Sequence, residues 1–312
     1  MYSRVPSRTV AAVAASLVYA VTPVAWSAGP RVPAKAPAPI AMSPDAAWCL
    51  KPLPEPLVAF RGLEEADSNA LASGAVLYPA PSIVAFLAEI AAHSAVVGGV
   101  RGKRAREHAE AANKVLEPYQ AVIGTFRSQE LEDRALDGRV SDGAKNLACG
   151  AEHTESVWII GSAPTFFMTQ DQTALVLDNV LAIQPPGAPG TSMYRLAVRV
   201  VSEEVGTDAP AAWLARDGAK LKAQSIALFG QSLDVALRIA AGDPLPSDSP
   251  FKSFHYREGA SDKVERAQLA NETCERLLLK TLRATYLSVP SLRKDCASMD
   301  QTQTAEAAPA PK

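Results

Sequence analysis

VWIIGSAPTFFMTQDQTALVLDNVLAIQPPGAPGTSMYRLAVRVV, residues 157–201, is the stretch that decides the fold class. Val157–Ile160, Thr165–Met168, Ala174–Ile183 and Tyr194–Val201 are rich in β-branched and aromatic residues, which suit a pleated surface. In the last of these, Tyr194, Leu196, Val198 and Val200 alternate with Arg195 and Arg199, so one face reads as buried and the other as solvated. The Pro/Gly-rich run 184–190 is a loop joining two neighbouring strands. The simplest topology is an antiparallel meander. Gly161-Ser162 falls at the end of its first strand.

Helical patterns flank the meander on both sides. Upstream, Ser82 caps a helix over 83–97 that is apolar nearly all round and stops at Gly98-Gly99. A second helix runs over 101–127 with Pro118 as its kink, and a short third covers 129–136. Downstream, Asp208 and Pro210 open a helix to Leu214. Gly218 then breaks the chain before a long helix over 219–241. Residues 251–257 read as a further strand. From Ser261 or Asp262 to Tyr286, Val264, Ala267, Ala270, Cys274, Leu277, Leu278, Thr281 and Leu282 form an inner helical stripe. The fold class expected is therefore α+β: an antiparallel β-meander packed on one face against several α-helices, with long C-terminal helices.

The ends of the chain carry different signals. Arg4 and Arg8, the apolar run Val10–Val21 and the small residues of Ala25-Trp26-Ser27-Ala28 predict a cleaved signal peptide over 1–28. Its removal takes away two arginines and no acid. Residues 29–47 hold five prolines and read as an extended linker. The folded domain is expected over 48–297. The Gln/Thr/Ala/Pro-rich residues 298–312 read as a disordered tail.

Of 312 residues, 48% are hydrophobic and 21% charged, which excludes collagen, coiled coil and wholesale disorder. Lys plus Arg number 31 and Asp plus Glu 33, so no basic excess points to nucleic acid. Four cysteines in an exported chain predict two disulfides with three possible connectivities; Cys274–Cys296 is favoured as the local pair, which leaves Cys49–Cys149, and Cys274 falls on the inner stripe of its helix.

Signatures of catalysis are missing. The G-x-S-x-G elbow, H-E-x-x-H and both glycine-rich phosphate loops are absent. Ser162 is the nearest match to a nucleophile. Glu152, His153 and Glu155 form a compact polar cluster, and His255 lies after a loop. Glu89 with His93, and His108 with Glu107 or Glu110, are helix pairs at short spacing. Neighbours in a strand point to opposite faces, so Glu203 and Glu204 would not act on one sugar. The basic run Arg101, Lys103, Arg104 and Arg106 suggests acidic headgroups, but Glu107, Glu110 and Glu117 soon offset it.

The function expected is an exported, periplasmic cell-envelope protein that binds or assembles rather than catalyses. No cofactor, metal, nucleic acid or mature transmembrane span is expected, and the partner is another envelope protein or a lipid. The alternative is a periplasmic hydrolase using Ser162 or a His/Glu cluster. A ligand would enter apolar space between the sheet and the helices around Phe86 or Phe229, residues that equally suit plain core packing.

Overall fold

The computed structural model describes residues 42–43, 46–64, 82–83, 85–88, 103–139, 145–146, 149, 156–187, 193–206, 208–242 and 249–292. All of them belong to the unit Ala38–Lys312. The strands are β1 (Trp48–Leu50), β2 (Phe60–Gly62), β3 (Lys145–Asn146), β4 (Trp158–Met168), β5 (Leu175–Gln184) and β6 (Tyr194–Val201). After the long helix come β7 (Lys252–Glu258), β8 (Ser261–Glu272), β9 (Arg276–Thr281) and β10 (Tyr286–Pro290). Nine of them lie side by side in the order β3-β1-β4-β5-β6-β10-β9-β8-β7, and β2 joins as a tenth against β4.

The expected meander is present. β4, β5 and β6 pair antiparallel, with Phe166 opposite Leu177 and Leu177 opposite Val200. The two halves read separately around Gly161-Ser162 are one eleven-residue strand. Pro164 lies inside it because β1 pairs with Trp158–Ile160 and β2 with Phe166–Met168. Between them β4 has no paired neighbour on that side, so the missing proline N–H leaves no ladder bond unmade. The sheet as a whole is mixed, since β10 runs parallel to β6.

Helices cover one face. They are α1 (Lys103–Asn113), a 3-10 segment Lys114–Tyr119 carrying Pro118, α2 (Gln120–Ile123), α3 (Ser128–Arg139) and α4 (Ala209–Ala240). The chain does not stop at Pro118 but tightens through it into 3-10 geometry. α4 is broken where Gly218 was expected to break it, with Ala215–Gly218 outside helical geometry. Tyr119, Phe126, Trp213, Leu228, Phe229 and Leu233 meet Ile160, Phe166, Met168, Leu177, Leu181 and Val198 in the main core.

The C-terminal region corrects the sequence reading most. Residues 261–286 are not a helix but β8, β9 and the start of β10. A two-residue turn at Gly259-Ala260 joins β7 to β8, Glu258 facing Ser261. Gly259 has φ +61°, and a Cβ there would crowd the Asp171 carboxylate, so glycine suits it on both counts. Thr273 and Arg276 close the next turn, with Cys274 and Glu275 at its tip. Cys274 is therefore exposed at a hairpin tip rather than on an inner helical stripe. One long helix, α4, stands where two were expected.

The second face is not solvated either. Ser82 Oγ accepts from the Ala85 amide, as a helix cap does, and Ile83, Phe86 and Leu87 are buried against Ile159, Val180 and Ala182. Cys49 is disulfide-bonded to Cys149 in the same cluster. At the other end β7–β10 coil over the sheet. Phe167, Val176, Val201, Tyr256, Ala267, Leu279, Leu287 and Val289, drawn from seven strands, form one core. Strand twist and the irregular register at Leu269/Asn271 of β8 permit that coiling. Among the described residues, no helix is long and apolar enough to cross a membrane.

Candidate functional site

Phe86 and Phe229 are both buried in packed clusters. An opening lies where the last turns of α4 pass over β8, β9 and β10. It is a groove of about 590 Å³. The Met42 amide donates to the Ala240 carbonyl, bringing the chain ahead of β1 past the end of α4 and onto the groove wall. Met42, although it falls within the Pro/Ala-rich 29–47 segment, is a buried core residue.

Met42, Trp48, Val235, Leu237 and Leu278 supply apolar wall, while Gln231, Asp234, Arg238, Asn271, Thr273, Arg276 and Ser288 supply polar wall. Arg276 is held in a fixed plane. Its Nε donates to Ser288 Oγ at 3.1 Å, and Nη2 donates to the Val201 carbonyl at 2.7 Å and the Ser288 carbonyl at 2.9 Å. Gln231 Nε2 donates to the same Ser288 Oγ at 3.2 Å. Helix α4 and three strands thus meet around one guanidinium. Two cationic side chains and one carboxylate line the groove, a balance suited to an anionic group.

A second polar cluster lies on the opposite face. Arg199, expected to face solvent, is buried and forms a fork with Asp178, Nε to Oδ1 at 2.6 Å and Nη2 to Oδ2 at 2.7 Å. The coiled sheet places Tyr256 and Glu258 of β7 over this pair. Burial pushes the Glu258 carboxyl up, opposed by Arg199 and Lys263. Its Oε2 has no hydrogen-bond partner among the described residues. Nearby, burial raises the Asp171 carboxyl, but bonds from Thr169, the Thr173 amide and hydroxyl and the Ala260 amide outweigh that and hold it below the ordinary range.

Among the described residues, those singled out for catalysis do not assemble. Ser162 sits in the middle of β4, fully buried, and donates to Asn179 Oδ1 at 2.8 Å. Asn179 in turn donates to Ser232 of α4, which donates to the Phe229 carbonyl. This chain ties the sheet to α4 and offers Ser162 neither a base nor a route to substrate. His255 is exposed on β7 and His108 on α1. His93, Glu89, Glu152, His153 and Glu155 lie outside the described residues, as do Cys296 and hence the Cys274–Cys296 pairing. Glu203 and Glu204 follow β6, and Glu204 forms an ion pair with Arg257 at 3.2 Å. In the basic run, Arg106 is exposed at the start of α1, and Arg101 and the Lys103 and Arg104 side chains lie outside the described residues.

Arg276, Ser288 and Gln231 carried no sequence signal. Arg276 lies within the stretch to Tyr286 that read as a helix, and only the pairing of β9 with β10 brings it to Ser288. Comparison with protein-family models, characterised sequences and solved structures finds no match.

Proposed function

We propose that this chain is an exported cell-envelope protein with a binding role, and that the groove between α4 and β8–β10 takes the ligand. The groove carries the proposal: an apolar wall beside an anchored arginine suits an amphiphile, its anionic head at Arg276 and Arg238 and its alkyl chain along Trp48, Val235 and Leu278. The Cys49–Cys149 disulfide supports an oxidising compartment. So does the N-terminal pattern of Arg4, Arg8 and the apolar run.

Native mass spectrometry of the protein recovered from the producing cell's envelope should show an added mass that leaves on denaturation. Binding of laurate by purified protein should weaken about tenfold, or 1.4 kcal/mol, in the exposed charge reversal Arg238→Glu. Laurate affinity unchanged by Arg238→Glu would remove the anionic-head reading. A bare native mass together with no laurate binding would remove the amphiphile.

A further inference from the structure

We propose a second site, independent of the groove: the cavity of about 260 Å³ beneath the β7–β8 turn binds an ammonium group against Glu258. The cavity is bounded by the β4–β5 loop, the segment after β2 and the β7–β8 hairpin, with Glu64, Asp171, Glu258 and Lys263 in its wall. Three acids against one lysine give it a negative balance.

Glu258 distinguishes this cavity from a chance cluster of acids. Strand alternation puts it on the inner face of β7 with Tyr256, and it is only 3% exposed. Arg199, the guanidinium it faces, is already forked onto Asp178. Lys263 contributes attraction, but among the described residues no hydrogen bond reaches Glu258 Oε2. That oxygen has lost its water without gaining a donor among the described residues, and such atoms are rare in folded proteins. An incoming N–H donor with positive charge supplies both missing terms.

Size and spacing choose between kinds of cation. Among the described residues, no three His, Cys, Asp or Glu side chains come together as a metal site would require. Asp171 already accepts from Thr169, Thr173 and Ala260, which fixes it as charged wall rather than as a ligand ready to turn. The cavity also exceeds a bare ion. These features fit an ammonium on a short aliphatic stem, from a small amine or from a lysine side chain of another molecule.

The test is calorimetric titration of the full chain with n-butylammonium chloride at constant chloride, with 1-butanol as the neutral counterpart. Saturable binding of the amine and none of the alcohol is expected. Glu258→Gln should weaken it at least about tenfold. Lys263→Gln, which removes the resident competing cation from a half-buried position, should tighten it about threefold. Nα-acetyl-lysine methylamide binding as well as butylammonium would assign the site to a lysine of a partner, and binding of the slim amine alone to a small molecule. Either result supports the site. Unchanged affinity in Glu258→Gln, weaker binding in Lys263→Gln, or no binding by wild type and Lys263→Gln alike would overturn it. Weaker binding in Lys263→Gln would mean that Lys263 is part of the binding wall rather than a competitor, and no binding by either protein that the cavity takes no ammonium. Because the groove is probed by laurate and this cavity by an amine, the two proposals stand or fall separately.

Discussion

Glu132 shows how little a residue's identity says about its protonation. On α3 it looks like an ordinary helix-surface acid in the sequence, yet it is buried and accepts the Leu53 amide at 2.8 Å. Burial pushes its carboxyl up to about 7, against the lowering effect of that bond and with help from Asp133. The folded state therefore holds the proton more tightly than the unfolded chain, whose carboxyl titrates near 4.5. Its contribution to stability is complete below that value and is lost as pH rises through about 7. Urea midpoints between pH 5 and pH 8 should fall in wild type, and Glu132→Gln should remove that part of the slope. An identical slope in the variant would show that other groups set it. Ser162, Arg199 and Glu258 were hidden for the same reason. Each is polar, and only tertiary pairing buries it.

Elements were legible where a local breaker coincided with a change of pattern. Gly218 is the clearest case. It adopts φ +76°, and a Cβ there would run into Val122 of α2. Two effects act on one residue: a left-handed backbone and a close approach between helices. Gly218→Ala should lower unfolding free energy by about 2–4 kcal/mol. In a Val122→Ala background the loss should shrink by about 1–3 kcal/mol as the steric part disappears. Equal losses in both backgrounds would leave backbone strain as the whole cause. The meander was readable from alternation, whereas 261–286 was not. Leu277, Leu278 and Leu279 are consecutive and sit in two different cores, so β9 is apolar on both faces and lacks the period of two. Its turns use Cys274-Glu275 and a left-handed Ala284, φ +59°, where no Gly or Pro announces them.

At the scale of the molecule, the Cys49–Cys149 disulfide spans a sequence separation of 100 and fastens β1, a three-residue strand, beside the cluster around Phe86. Closing a loop of that length restricts the unfolded chain, so reduction, or Cys49→Ala with Cys149→Ala, should lower stability by about 3–5 kcal/mol in denaturant titration. A midpoint unmoved by reductant would mean that packing alone holds β1. Cysteine count and export pattern made a disulfide legible, but this pairing only as what remained once Cys274 and Cys296 were joined on the strength of an expected helix that is in fact strand, while the coiling of β7–β10 over the second face leaves no local mark. Strand order also fixes timing. β10, the last of the described strands along the chain, lies between β6 and β9 and bonds to both. A nascent chain that has not yet delivered Tyr286–Pro290 has both of those edges open. The sheet can therefore close only once Tyr286–Pro290 has emerged, so β6 and β9 must stay unpaired on those edges until then, β6 while all of α4 and β7–β9 is made.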